Sequence, residues 1–133
     1  MTPPNFKRLR GCLPASWSRD DYVITGSACL AVQGIRDVKD LDILIRPVLW
    51  PEVEQLGAHF PKDEIAFFDE VPRLAHLGAD VIFEHADKVD GYNIISLRHC
   101  LAIKALVTKS RPKDVQDMLL IAKLIAATEG HYA

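Results

Sequence analysis

The stretch ITGSACLAVQGIRDVKDLDILI, residues 24–45, decides how this chain is interpreted. Its first part places Gly26 and Ser27 after a short β-rich run, and the apolar segment ACLAV then continues to a glycine at Gly34. This order predicts a strand, a tight turn and a short helix that ends at a glycine cap. The second part, DLDILI, alternates acidic and apolar residues until Pro47, and this alternation predicts a second strand.

The acidic residues of the second predicted strand are Asp40 and Asp42. Side chains at i and i+2 leave the same face of a strand, roughly 7 Å apart, so both carboxylates point to one spot. Two such charges repel each other unless they are hydrated, protonated or bridged by a cation, and Mg²⁺ is commonly held by one or two carboxylates together with phosphates. A solvated strand edge is the alternative, because an Asp-x-Asp triplet is frequent by chance.

Patterns along the rest of the chain predict further elements around these two strands. After an irregular or weakly helical lead over 1–16 they are a helix over 48–56, strands over 64–68, 78–85 and 92–95, and helices over 97–109 and 112–128. Ser96 caps the first of the two final helices, and the dipeptide Asp90-Gly91 predicts a hairpin turn. Together they predict one α+β domain, in which a small twisted mixed sheet carries the acids on one face and helices on the other.

The length, charge and composition of the chain limit the classes of protein to which it can belong. The chain has 133 residues and a formal net charge of -2, which fits one domain and gives no global attraction to nucleic acid. We find no apolar run of the roughly 20 residues that a membrane span requires, and no secretory signal, so we expect a soluble cytoplasmic protein. Cys12, Cys29 and Cys100 are widely spaced and odd in number, so we expect reduced, mostly buried thiols.

A third acid stands in the predicted strand over 78–85. Asp80 interrupts the apolar sequence ADVIF, and a buried carboxylate needs a partner or a metal ion. The alternatives are an edge position or an ion pair with Arg36 or Arg73, and Glu84 is a substitute candidate for the third acid.

Cations and small residues near the acidic pair are candidates to bind phosphate. A glycine at Gly26 allows close approach of a phosphate, and Ser27 can donate a hydroxyl. Arg36, Lys104 and Lys113 are cationic candidates, with a solvated surface position as the alternative for each.

Two more acids, Asp114 and Asp117, fall at the start of the last predicted helix, where negative charge is favourable. Their expected role is structural, and a pairing of Lys104 with Asp114 between the two final helices is predicted.

Residues 24–45 resemble the signature of the polymerase-beta-like nucleotidyltransferase superfamily: Gly-Ser, about a dozen residues, Asp-x-Asp in an apolar strand, and a later third acid. More narrowly, the tripeptide at 34–36, Lys104 and the segment RPKDVQD at 111–117 resemble abortive-infection or toxin-type bacterial nucleotidyltransferases. The resemblance covers roughly residues 22–124.

This resemblance implies a nucleotidyltransferase fold that moves a nucleoside monophosphate from a nucleoside triphosphate to a hydroxyl group. It implies that Asp40 and Asp42 bind Mg²⁺ or Mn²⁺ and that Asp80 acts on the hydroxyl of an acceptor such as tRNA, protein or a small molecule. The alternative is a non-catalytic member that binds nucleotide or a partner, for instance in a toxin–antitoxin pair. A homodimer or a partner chain that supplies the acceptor surface is a further expectation.

Overall fold

The computed structural model describes residues 5–18, 20–56, 64–69, 78–105 and 112–129. Within these ranges the helices are α1 (Asn5–Arg10), α2 (Ala28–Val32), α3 (Trp50–Leu56, after a 3-10 turn over Pro47–Leu49), α4 (Gly78–Glu84), α5 (Leu97–Ala105) and α6 (Pro112–Glu129). The strands are β1 (Tyr22–Ile24), β2 (Leu41–Ile45), β3 (Ile65–Phe68), β4 (Asp87–Val89) and β5 (Tyr92–Ile94). Among the described helices, none has the length and apolar character to span a bilayer.

The strands form one mixed sheet in the order β3-β2-β1-β5-β4. Strand β2 runs antiparallel to β1 and parallel to β3, and β5 runs parallel to β1. The hairpin between β4 and β5 turns at Asp90 and Gly91, whose φ angles of 52° and 85° are those of a tight hairpin turn. The predicted α+β class, mixed sheet and turn are confirmed.

Helices cover both faces of the sheet, because β1 and β2 are apolar on both sides. Ile24 and Ile43 pack in one core with α1 and α3, whereas Val23 and Leu44 pack in a second core with α4, α5 and α6. The expectation that helices cover only one face is therefore wrong. Asp42 shares its face of β2 with Leu44, so it points to the side on which α5 and α6 lie.

The segment predicted as a strand over 78–85 is the helix α4. Its inward residues are Ala79, Ile82 and Phe83, which pack in the second core. Their spacing of three and four residues is helical, and Gly78 begins the helix with a φ of 42°. The strand prediction is wrong because apolar residues in this short segment recur both at every second position and at helical spacing. The pattern therefore fits a strand and a helix equally well.

Helix α1 belongs to the core, although the sequence predicted an irregular or weakly helical lead. Phe6 and Leu9 are buried in the first core at one helical turn from each other. The Asp37 carboxylate accepts hydrogen bonds from the backbone N–H groups of Asn5 and Phe6 at the start of the helix. A distant residue thus satisfies donors that a short helix leaves free.

The last two helices pack against each other and against the sheet. The Ser96 hydroxyl accepts a bond of 3.2 Å from the backbone N–H of His99, so the predicted cap of α5 is confirmed. Cys100 of α5 and Ile121 of α6 are buried in the second core. The predicted end of the first of these helices, over 106–109, lies outside the described residues.

Candidate functional site

A close turn joins β1 to α2 beside the acidic strand. The Thr25 backbone N–H and hydroxyl both donate to the Asp42 carbonyl oxygen, each at 2.8 Å. Gly26 follows with a φ of 68°, and a Cβ atom added there would lie 3.3 Å from Asp42 Oδ2. Both the backbone conformation and the nearby carboxylate therefore favour glycine.

The acidic pair stands at the start of β2. Leu41 and Ile43 are buried, whereas the alternating residues Asp40 and Asp42 are exposed to solvent, as the sequence pattern predicts. Partial desolvation by the surrounding protein and the negative charge of Asp40 raise the pKa of Asp42, while Lys104 opposes this rise. A cation bound between the two carboxylates would relieve their repulsion.

An open polar pocket of about 110 Å³ surrounds this pair. Every residue predicted for the site except Asp80 lines it: Gly26, Ser27, Arg36, Asp40, Asp42, Lys104 and Lys113. Lys39 and Asp114 also line it, and neither was predicted as a site residue. The volume accommodates a few water molecules or phosphate oxygens, which is less than a whole nucleotide occupies.

Asp80 lies elsewhere. Its side chain is exposed in the first turn of α4 and forms an ion pair with Arg46, which also stacks over the Phe83 ring at 3.8 Å. Arg46 follows β2 four residues after Asp42, about 13 Å further along an extended strand. The structure therefore does not bring Asp80 to the acidic pair, because the segment that carries it is a helix and not a strand of the sheet.

No acid on β3, just before it or on α4 replaces Asp80 in the described ranges. The neighbour of Asp42 on β3 is Ala66, and the Glu64 carboxylate just before this strand pairs with Arg8. Glu84, the substitute candidate, is exposed at the end of α4. Among the described residues there is no cluster of three or more His, Cys, Asp or Glu side chains that could hold a metal ion.

The two carboxylates that are present fit Mg²⁺. This ion usually keeps several water molecules and binds proteins through one or two carboxylates plus the phosphates of a substrate, so it needs no cage made only of protein atoms. The open pocket provides the two carboxylates, and its flanking cations suit the phosphates of a substrate.

A buried carboxylate on α6 connects the parts of the pocket. Asp117 is 2% exposed. Its two oxygens accept bonds from Arg36 Nε at 2.9 Å and Nη2 at 2.7 Å, and one of them also accepts from Ser27 Oγ at 3.0 Å. Lys104 Nζ lies 3.3 Å from the same oxygen. Burial alone would raise the pKa of Asp117, but the bonds from Arg36 and Ser27 and the charge of Lys104 lower it.

Asp114, one turn earlier on α6, lies 3.8 Å from Lys104 Nζ, so the predicted pairing between the two helices is confirmed. Arg36 and Lys104 are therefore already compensated by buried acids. Lys39 and Lys113 are exposed and line the same pocket, and the ion pairs found among the described residues do not involve them.

Two cysteines lie behind the turn. The Cys100 thiol donates to the Gly26 carbonyl oxygen at 3.0 Å. The interaction with Cys29, together with burial, raises the pKa of Cys100. Both are free thiols in the second core, as predicted, and they support the turn from its buried side.

The sequence did not lead us to predict Lys39 as a site residue, and it suggested only a structural role for Asp117. Lys39 directly precedes Asp40, and its position beside the acids was the available signal. For Asp117 the signal was its spacing of three residues from Asp114, which places both on one face of α6. Its partners Arg36 and Ser27 are 81 and 90 residues away in the sequence, so no local pattern could identify these two contacts.

Comparisons of the chain with protein-family models, with curated proteins and with solved structures gave no match.

Proposed function

We propose that this chain is a Mg²⁺-dependent nucleotidyltransferase whose site is the pocket around Asp40 and Asp42. The observation that supports this most is the convergence of the acidic pair, the Gly26 turn and cationic side chains from three separate segments in one pocket. A solvated strand edge would not require flanking lysines and a glycine held against a carboxylate.

The side chains of the pocket have separate tasks in this proposal. Asp40 and Asp42 are the residues that would hold the ion, and bound Mg²⁺ would neutralise charge on the polyphosphate. Lys39 and Lys113 bind phosphate oxygens, since their ammonium groups are exposed at the pocket. Gly26 keeps the backbone close to Asp42 without a side chain that would fill the space.

The size of the pocket determines which part of a nucleotide it holds. At about 110 Å³ it is well below the 300 Å³ or more that typical ligand pockets offer. The polyphosphate and the ion occupy it, and the sugar and base extend outside. Selectivity among the four bases is therefore weak in this proposal.

A second candidate is a member of the same fold that binds nucleotide without transferring it. The observation that favours this alternative is the position of Asp80 on α4, with Ala66 as the neighbour of Asp42 on β3. Besides the acidic pair, Asp114 is the only carboxylate of the described ranges that lines the pocket, and it is already engaged by Lys104 at 3.8 Å.

One experiment separates the two candidates. The purified protein is incubated with each α-³²P-labelled nucleoside triphosphate, Mg²⁺ and cell extract, and label is sought in nucleic acid, protein and small molecules. Binding of Mg²⁺ and ATP is measured in parallel by calorimetry.

Label in an acceptor that depends on Mg²⁺ and is lost in Asp42→Asn supports transfer. Binding that is lost in Asp42→Asn, without label transfer, supports the second candidate. Asp87→Asn is the matched control, because it removes one carboxylate from an exposed strand position outside the pocket. Equal binding by wild type and Asp42→Asn would overturn both candidates.

A further inference from the structure

Asp117 contacts three of the residues that line the pocket but is not itself part of the lining. The bonds reach Ser27 in the turn after β1, Arg36 in the loop before β2, and Lys104 on α5. One carboxylate thus joins three chain segments that are separate in the sequence.

Burial of this carboxylate requires such partners. An ionised acid that is nearly excluded from water is strongly unfavourable unless its oxygens are paired and hydrogen-bonded. Asp117 receives two bonds from the Arg36 guanidinium, one from a hydroxyl and the charge of an ammonium group. In turn, these contacts restrict the positions of the three donors.

The Ser27 hydroxyl illustrates the restriction. Ser27 stands at the N-cap of α2, where a serine oxygen usually accepts a bond from a backbone N–H of the first turn, but here the hydroxyl makes no such bond. It donates to Asp117 and accepts from Arg36 Nη2 at 3.0 Å. Its orientation is therefore set by α6 and not by its own helix.

We infer that Asp117 is a positioning residue: it holds Ser27 and Arg36 against the Gly26 turn and keeps Lys104 beside Asp42, and so assembles the pocket from α6. This inference rests on the proposed function, because it concerns the binding of a magnesium-bound triphosphate at that pocket. It assigns to α6 a role in the site that goes beyond covering the sheet.

The test is the affinity for ATP in the presence of MgCl₂, measured by calorimetry on wild type, Asp117→Asn, Asp87→Asn, Arg36→Gln and the double variant Arg36→Gln/Asp117→Asn. Loss of a group that orients ligands typically weakens metal binding about 10- to 100-fold. We expect a loss in this range for Asp117→Asn and no change for Asp87→Asn. The double variant should bind about as weakly as Asp117→Asn alone, because the loss of Asp117 already releases Arg36 from its position.

An Asp117→Asn protein that is folded and binds within about twofold of wild type would overturn the inference. If Asp117→Asn does not fold, the double variant carries the test, because it removes both members of the buried ion pair and leaves no unpaired Arg36 charge. Wild-type affinity in the double variant would equally overturn it.

A separate measurement distinguishes failure of the inference from failure of the proposed function. The backbone amide resonances of Gly26 and Ser27 are recorded by NMR in the ligand-free protein. They should shift in Asp117→Asn and stay in place in Asp87→Asn. A wild type that binds no nucleotide contradicts the proposed function alone, whereas unchanged Gly26 and Ser27 resonances in Asp117→Asn contradict the positioning role.

Discussion

At the scale of single residues, the site depends on the contact between Gly26 and Asp42. The φ of 68° at Gly26 lies in the left-handed region, and the space above its Cα contains a carboxylate oxygen. An L side chain would therefore meet two separate penalties, one in the backbone and one in the pocket.

Replacing Gly26 by alanine should expose both penalties. We expect the free energy of unfolding to fall by about 1–2 kcal/mol from backbone strain, and ATP affinity in MgCl₂ to fall because the new methyl group lies against Asp42 Oδ2. Gly91→Ala is the control: its φ is 85°, but an added Cβ would have no atom within 4 Å. Urea denaturation measures the stability of both variants, and calorimetry measures their affinity for ATP. An equal loss of ATP affinity in the two variants would contradict a role for the contact between Gly26 and Asp42.

Asp42 should make the fold slightly less stable at neutral pH. Its pKa is raised in the folded state, so the folded protein binds a proton more readily than the unfolded chain, and stability decreases as pH rises above the usual Asp pKa. We expect Asp42→Asn to be more stable than wild type at pH 7.5 by a few tenths of a kcal/mol, since solvent screens this exposed group. Urea denaturation should show a smaller gain in stability near pH 3.5. An equal gain at both pH values would show that the charge of Asp42 is not its cause.

At the scale of elements, α4 and the turn after β1 differ in how well the sequence determines them. The turn needs a glycine, and DLDILI needs a strand to bury Leu41 and Ile43 while it exposes the acids, so both could be predicted locally. The apolar run over 78–85 satisfies a strand period and a helix period alike, and only its packing against β1 and the last two helices distinguishes them.

The helical assignment of α4 predicts that Asp80 is dispensable for the site. We expect Asp80→Asn to leave ATP affinity and any label transfer unchanged, and to reduce stability by less than about 1 kcal/mol, because its ion pair with Arg46 is exposed. Ile82→Ala, two residues away on the buried face, should reduce stability by about 2–5 kcal/mol. Calorimetry measures the ATP affinity of the two variants, and urea denaturation measures their stability. A loss of nucleotide binding in folded Asp80→Asn would show that Asp80 belongs to the site after all.

At the scale of the whole molecule, the last helix connects the C-terminal part of the described chain to the turn and loop that precede β2. Asp114 and Asp117 compensate Lys104 and Arg36, so two of the cations that sequence reasoning assigned to phosphate also serve the fold. The pairing of Lys104 with Asp114 could be predicted from the sequence. The contacts of Asp117 with Arg36 and Ser27 could not, because they join residues far apart in the chain and their geometry depends on how α6 packs.

Charge on Asp117 should therefore stabilise the whole fold in a pH-dependent way. Its pKa is lowered, so its contribution is complete above the usual Asp pKa and is lost as pH falls below about 4 towards the lowered value. Removing one member of a buried ion pair costs about 3–5 kcal/mol, and we expect a destabilisation of that order for Asp117→Asn at pH 7.5. The difference from wild type should shrink as pH falls below 4, because a protonated Asp117 resembles asparagine. Urea denaturation along this pH series measures it, and a constant difference would mean that shape, and not charge, makes this side chain matter.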